Sequence, residues 1–251
     1  MHAKKTKCLN CDTNTVGKYC HNCTQKSDTK RLNLKHFISH DIIHGTLHLD
    51  KGLPFTIKEI ILRPGKVASN YINGKRVRYY NFFYLIMILI GLILFLKGFN
   101  NGSISNEVTD KAISKVSHNL GKELASHYFK HFLLSFIPLF AISSSITYRK
   151  TKLNLAEHGI IAGVCLIYIL LYILVLQFIH LWYNELDISP YFFFVVILTI
   201  VLIYIQAFRD FYPKRTIANF FNAFLTVFTF SILMVLVVSL VIAIMMFFQE
   251  S

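Results

Sequence analysis

Residues 159–184 read GIIAGVCLIYILLYILVLQFIHLWYN, a run without Asp, Glu, Lys or Arg. A helix needs about 20 mostly apolar residues to cross a hydrocarbon core of about 30 Å, so this run predicts a transmembrane helix. The whole chain is 54% hydrophobic with a mean hydropathy of +0.50, too apolar for an ordinary water-soluble domain. We therefore predict an all-α integral membrane bundle of about five transmembrane helices in residues 79–251. The predicted spans are about 79–97, 131–148, 159–183, 189–208 and 217–248.

Four cysteines near the N-terminus form two C-x2-C pairs, Cys8 with Cys11 and Cys20 with Cys23. Each pair places two thiolates on one side of a tight turn, and the short connection lets both turns close around one ion. We predict a cytosolic zinc-knuckle head, residues 1–30, in which structural Zn²⁺ supplies most of the folding free energy. Iron in the same cage, or no metal at all, are the alternatives. Four thiolate ligands leave no coordination position for water, which argues against a catalytic zinc.

The positive charge is concentrated before the first span. The net charge is +13, and residues 1–80 carry 15 Lys/Arg against 5 Asp/Glu. The segment 31–78 mixes cations with apolar residues and is interrupted by Gly and Pro, so we predict basic, interfacial linker helices. We predict that its cations bind an anionic lipid headgroup or a partner protein, the alternative being that they only orient and anchor the first span. These residues are Arg63, Lys66, Lys75, Arg76 and Arg78. Nucleic acid is not an expected partner.

The short loops predict the orientation in the membrane. Segments 75–78, 149–152 and 209–215 each carry three Lys/Arg, whereas the connection 185–187 carries none. Because short cytoplasmic loops are enriched in Lys and Arg, the N-terminus is predicted to be cytosolic and the C-terminus outside.

Histidines recur every four residues between the head and the first span, at His36, His40, His44 and His48. On a helix this spacing places them along one face. Gly45 interrupts this helix and apolar residues share its face, so we predict a set of ordinary interfacial histidines. The alternative is metal binding or joint titration at about pH 6.

Catalytic motifs are not found in the sequence. No ionisable residue lies near the middle of a predicted span, and no nucleophile elbow, paired carboxylate or metalloprotease pattern is present. We therefore predict no catalytic residues and a protein that is not an enzyme.

The motifs from the head to the start of the first span resemble those of a known family. They read Cys8-Leu-Asn-Cys11, Gly17-Lys-Tyr-Cys20-His-Asn-Cys23-Thr-Gln25, Arg31, Leu62-Arg63-Pro64-Gly65, Tyr71-Ile-Asn-Gly74-Lys75-Arg76, Tyr79 and Phe82. Over roughly residues 8–90 the chain is similar to a bacterial family of uncharacterised multispanning membrane proteins with a four-cysteine, zinc-ribbon-like head. That family has Gly at the position of Thr24 and Pro near Asn81. The resemblance implies an architecture in the bacterial inner membrane and no particular reaction.

These observations predict a non-enzymatic inner-membrane protein. Its cytosolic zinc head and basic juxtamembrane segment would dock a protein partner or anionic lipid. The alternative is transport or scrambling of a small molecule or lipid by the helical bundle, with the zinc head as a regulatory module.

Overall fold

A computed structural model describes residues 6–27, 31–32, 52–102, 135–182, 189–209 and 216–249. The head contains a two-stranded antiparallel sheet, in which Thr6 pairs with Thr15 and Lys7 with Asn14. Its strands are β1 (Thr6–Lys7) and β2 (Asn14–Thr15). The remaining described residues are mainly helical: α1 (Gly52–Leu62), α2 (Pro64–Ile72), α3 (Phe82–Gly102), α4 (Ser135–Thr147), a 3₁₀ turn (Arg149–Thr151), α5 (Leu155–Trp182), α6 (Ser189–Arg209) and α7 (Thr216–Gln249). The histidine stripe predicted at 36–48 lies outside the described residues.

The five longer helices α3 to α7 lie at the positions of the five predicted spans. Two ends differ from the predicted spans by several residues: α3 continues to Gly102 and not to residue 97, and α5 begins at Leu155 and not at residue 159. Asn154 and Glu157 form a reciprocal capping box: the Glu157 N–H donates to Asn154 Oδ1 (2.9 Å), and the Asn154 N–H donates to Glu157 Oε2 (2.8 Å). The predicted span, which was limited to residues without charge, begins after this turn because the turn contains Glu157.

Two helical stretches in the described part of the chain are long and apolar enough to cross a membrane, Leu155–Ile179 in α5 and Ile217–Leu240 in α7. The apolar stretches in α3, α4 and α6 are shorter, at Phe82–Leu96, Ser135–Thr147 and Phe194–Arg209. Length and composition therefore support membrane association for two helices.

The packing of α5 and α7 differs. In the apolar part of α5, half of the residues are buried inside the protein, whereas in the apolar part of α7 only 17% of the residues are buried. Ile217, Phe221 and Val235 of α7 are each more than two thirds exposed. A contiguous apolar surface of this kind is uncommon on a water-soluble monomer and marks contact with a membrane or another apolar partner.

The short helix α2 is part of the core. It packs against α5 and α6, and most of its side chains are buried. Pro64 occupies the start of the helix, where its missing N–H costs no helical hydrogen bond. Gly65 lies against the backbone of α6: a Cβ atom there would overlap Gln206 and come within 2.5 Å of the Ala207 nitrogen. Only a residue without a Cβ atom allows this close crossing.

Aromatic side chains pack together where the end of α4, the start of α5 and the end of α6 meet. Tyr148, just after α4, stacks on Phe208 of α6 with ring centroids 3.7 Å apart, and Tyr204 lies 5.8 Å from Phe208. The His158 ring of α5 is 6.0 Å from Phe208. The end of α4, the start of α5 and the end of α6 therefore form one side of the bundle.

Candidate metal centre and its contacts with the bundle

The four head cysteines come together as predicted. Their Sγ atoms all lie within 4.8 Å of one another, and the Cys8–Cys23 and Cys11–Cys20 Sγ pairs are both 3.5 Å apart. Tetrahedral zinc with Zn–S bonds of about 2.3 Å requires sulfur atoms about 3.8 Å apart. The donor set and its spacing thus fit a single tetrahedral metal ion held by thiolates.

The two knuckles are structural copies offset by twelve residues. In the first, the Cys8 N–H donates to the Thr13 carbonyl (2.9 Å) and the Cys8 carbonyl accepts from Asp12 (3.0 Å). The second repeats both bonds at Cys20, which donates to the Gln25 carbonyl and accepts from Thr24, each at 2.8 Å. The flanking pairs follow the same offset, since Lys7 pairs with Asn14 and Tyr19 with Lys26. This C-x-N-C repeat is visible in the sequence, although our sequence analysis did not identify it.

The residue after each second cysteine adopts a left-handed conformation, with φ of 60° at Asp12 and 61° at Thr24. This region favours glycine, and a β-branched residue adopts it at a cost of about 1–2 kcal/mol. The conformation explains why the resembling family has Gly at the position of Thr24. The threonine here also donates its hydroxyl to the Cys23 carbonyl (2.6 Å).

The cysteines differ in their tendency to ionise. Burial raises the pKa of the Cys8 thiol to about 11, whereas the side-chain and backbone hydrogen bonds of Thr13 lower the pKa of Cys11 to about 6. Metal binding requires thiolates and releases their protons. Cys11 is therefore ready to bind a metal near neutral pH, and Cys8 gives up its proton on binding.

Gln25 connects the head to the bundle. Its side-chain Nε2 donates to the Gly74 carbonyl (2.8 Å), and its Oε1 accepts from the N–H groups of Arg76 (3.2 Å) and Val77 (3.3 Å). Gln25 is buried, and its carbonyl belongs to the second knuckle. One residue therefore links the metal-binding loop to the turn between α2 and α3.

Gly74 is favoured at this contact by its backbone conformation, because its φ is +91°. It also lies against the first knuckle: a Cβ atom at this position would be 2.7 Å from the end of the Leu9 side chain. Both knuckles therefore touch the α2–α3 turn, one through Leu9 and the other through Gln25.

A second connection lies further along the chain. Arg31 binds the Glu157 carboxylate through two bonds of 2.7 Å, and its guanidinium also donates to the Lys152 carbonyl (2.6 Å). The hydrogen bonds to Glu157 raise the pKa of Arg31. The Glu157 side chain is only 3% exposed, so this ion pair neutralises a buried carboxylate at the start of α5. The Asn154 side chain donates to the Leu32 carbonyl (2.6 Å) and holds the same segment.

The five predicted lipid- or partner-binding cations lie at both ends of α2. Arg63 and Lys66 are exposed at its start. Lys75 and Arg78 are exposed in the turn after it, where Arg76 donates to the Tyr71 carbonyl (3.2 Å) and lies over the Tyr71 ring. Six residues of α2, 67–72, lie between Lys66 and the turn that carries the second group, a rise of about 9 Å. Their binding of lipid or a partner stays a prediction.

Buried polar groups also occur beside the head contacts. Ser144 of α4 and His158 of α5 are fully buried, with Ser144 Oγ and His158 Nδ1 2.9 Å apart. A serine beside a histidine occurs in nucleophilic sites, but these two side chains are enclosed by helices. Neither this pair nor the role of Gln25 was predicted from the sequence. For the Arg31 contact, the sequence contains one local indication, the Asn154-x-x-Glu157 capping pattern, which places Glu157 at the start of a helix.

Comparison with known proteins gives one partial match. A family model described as a protein of unknown function (DUF3667) matches residues 50–92, which include α1, α2 and the start of α3. No curated protein and no solved structure matches the chain. The matched stretch contains Gly65 and Gly74, the two glycines whose close contacts fix α2 and the head.

Proposed function

We propose that the chain is a multi-pass protein of the bacterial inner membrane with five spans, a cytosolic N-terminus and an external C-terminus. The length of α5 and α7 and the exposed apolar surface of α7 support this placement. The basic residues Arg149 and Lys150 follow α4, and Arg209 ends α6. Cations at these helix ends agree with a cytosolic location for the side of the bundle that contacts the head.

Within this arrangement, the head is a zinc-stabilised docking module for a protein partner and has no catalytic role. The observation that carries the proposal is the set of three hydrogen bonds from the Gln25 side chain to the α2–α3 turn. A head held in this way presents the same face to a partner at all times. A four-thiolate metal site has no coordination position for a substrate, which supports a binding role.

The outer face of the head offers apolar contacts to a partner. Val16 and Tyr19, which flank the Gly17–Lys18 turn, are 62% and 63% exposed. Exposed tyrosine is a frequent anchor in protein interfaces. The cations Arg63, Lys66, Lys75, Arg76 and Arg78 would hold this face near anionic lipid headgroups, at roughly 1 kcal/mol for each cation.

Site-specific photocrosslinking in native membranes tests the docking role. A photoreactive amino acid at Tyr19 should give a protein adduct of defined mass, whereas the same group at the lipid-facing Phe221 should not. The Tyr19 adduct should disappear in a Cys20→Ser variant, which lacks one metal ligand. Absence of an adduct at both Val16 and Tyr19, or an adduct that persists in Cys20→Ser, would contradict docking through the folded head.

A further inference from the structure

A cavity of about 560 Å³ lies between the end of α4 and the start of α7, and none of the described residues that line it belongs to the head. Its walls include Thr147, Arg149 and Lys150 from the α4 side and Asn219 and Asn222 from α7. This volume is within the range of sites that bind small molecules.

The walls of the cavity are held in place by direct contacts between α4 and α7. The Tyr148 hydroxyl donates to the Asn219 carbonyl (3.1 Å) inside the protein. About two turns further along α7, the hydroxyl oxygens of Thr147 and Thr226 are 2.6 Å apart. The cavity is therefore formed by the packing of the two helices and does not depend on a ligand to separate them.

The chemistry of the lining favours an anion. Arg149 and Lys150 are exposed cations, and the Asn222 carboxamide carries further N–H donors. None of the described residues that line the cavity is acidic. Guanidinium groups bind phosphate oxygens in pairs, and lysine binds phosphate as a point charge.

The surroundings of the cavity favour an anion that carries apolar chains. Ile146, which also lines the cavity, is 51% exposed, and the neighbouring Ile217 and Phe221 of α7 are 78% and 69% exposed. A polar, basic cavity thus opens beside an apolar outer surface. This combination matches the two parts of a phospholipid.

We propose that this cavity binds the phosphate headgroup of an anionic phospholipid, with Arg149 and Lys150 on the phosphate and Ile217 and Phe221 along the acyl chains. The site is distinct from the cations at 63–78, which lie around α2. The inference rests on the membrane placement in the proposed function. Free phosphate shares the headgroup chemistry, and only the apolar contacts distinguish the lipid from it.

The test uses the full-length protein purified in a neutral detergent, with ligand binding followed by native mass spectrometry and by the shift in thermal unfolding. The ligands are phosphatidylglycerol, phosphatidylcholine and glycerol 1-phosphate. The variants are Arg149→Gln/Lys150→Gln and, as a matched control that removes two cations outside both predicted lipid sites, Lys18→Gln/Lys58→Gln. All four substituted side chains are exposed, so both variants should fold. Each cation at an anionic surface changes affinity by roughly fivefold, or about 30-fold for the pair.

The proposal predicts that phosphatidylglycerol binds more tightly than the other two ligands and that only the Arg149/Lys150 variant loses about 30-fold in affinity. Equal binding of glycerol 1-phosphate and phosphatidylglycerol would identify a phosphate site and overturn the lipid assignment. An equal loss in both variants, or no loss in either, would overturn the site. Resistance of the protein to alkaline extraction from membranes is measured separately, so that a failed lipid site is distinguished from a wrong membrane placement.

Discussion

Gly65 shows how one residue determines the packing of a whole helix. Its hydrogen atom faces the α6 backbone at Gln206 and Ala207, where a methyl group has no room. Backbone cannot move aside as the end of a flexible side chain can. The position therefore excludes every residue larger than glycine unless α2 moves away from α6.

We predict that Gly65→Ala lowers the stability of the purified protein by about 1–3 kcal/mol, because overpacking forces the helices apart. Thermal unfolding in detergent measures the loss. Gly91→Ala is the matched control, since Gly91 lies in α3 with open space around it. Alanine there should be neutral or stabilising by up to about 1 kcal/mol. Equal unfolding temperatures for the two variants would show that α2 does not cross α6 at Gly65.

The Arg31–Glu157 pair makes a second prediction at the level of single residues. Removing the guanidinium in Arg31→Ala leaves the buried carboxylate with the Asn154 N–H as its remaining described hydrogen bond. A hydrogen bond to a charged group is worth about 1.5–3 kcal/mol, and Arg31 is 60% exposed, so we expect a loss of about 2 kcal/mol.

The control for this pair is Glu157→Gln alone and combined with Arg31→Ala. Urea unfolding of the four proteins gives a double-mutant cycle. The structure predicts a coupling energy of at least about 1 kcal/mol between the two residues. Additive effects would mean that Arg31 does not contact Glu157.

At the level of elements, the main contact is between the second knuckle and the turn from α2 to α3. In Gln25→Ala, the Gly74 carbonyl and the N–H groups of Arg76 and Val77 lose the Gln25 side chain. We predict at least tenfold faster trypsin cleavage after Lys75, Arg76 and Arg78, because the turn opens more often. Asn22→Ala is the control, since Asn22 is exposed and contacts only the head among the described residues. An unchanged cleavage rate in Gln25→Ala would show that Gln25 does not stabilise the α2–α3 turn.

The sequence predicted those features of the elements that depend on local spacing. The two C-x2-C pairs lie within sixteen residues and carry their own geometry, so the grouping of the four cysteines followed directly. The five apolar helices followed from composition. By contrast, Gln25 contacts residues about 50 positions away and Arg31 contacts Glu157 at 126 positions. Such pairs depend on tertiary packing, which a single sequence does not reveal.

Helix α2 shows the same limit. Its sequence, PGKVASNYI, includes small and polar residues and has no continuous apolar run. Sequence analysis therefore placed it in an interfacial linker. Small residues permit close helix contact, however, and α2 uses Gly65, Ala68 and Ser69 as buried packing residues between α5 and α6.

For the whole molecule, we predict one metal ion for each chain. Elemental analysis of the purified protein should find about one zinc, and Cys20→Ser should lose it. Cys165→Ser is the control, because Cys165 is buried in α5 and belongs to no described metal cluster. Iron at the same stoichiometry would replace zinc as the metal, and a full metal content in Cys20→Ser would contradict the four-thiolate site.

The head and the helical bundle form one unit through the contacts of Gln25 with the α2–α3 turn. The head is too small to have much of an apolar core, so we predict that a bound metal ion folds it and that its contacts with the bundle depend on that ion. Loss of the ion should then also reduce the protection of Gly74, Arg76 and Val77 from hydrogen exchange, although these residues are not metal ligands.

Hydrogen exchange of the protein in lipid nanodiscs, with and without a zinc chelator, tests this claim most directly. We predict that chelation speeds exchange at least tenfold both in residues 8–25 and in residues 74–77, while exchange in α5 stays unchanged. Faster exchange confined to residues 8–25, with 74–77 still protected, would contradict the claim and would show that the α2–α3 turn is stable without the folded head.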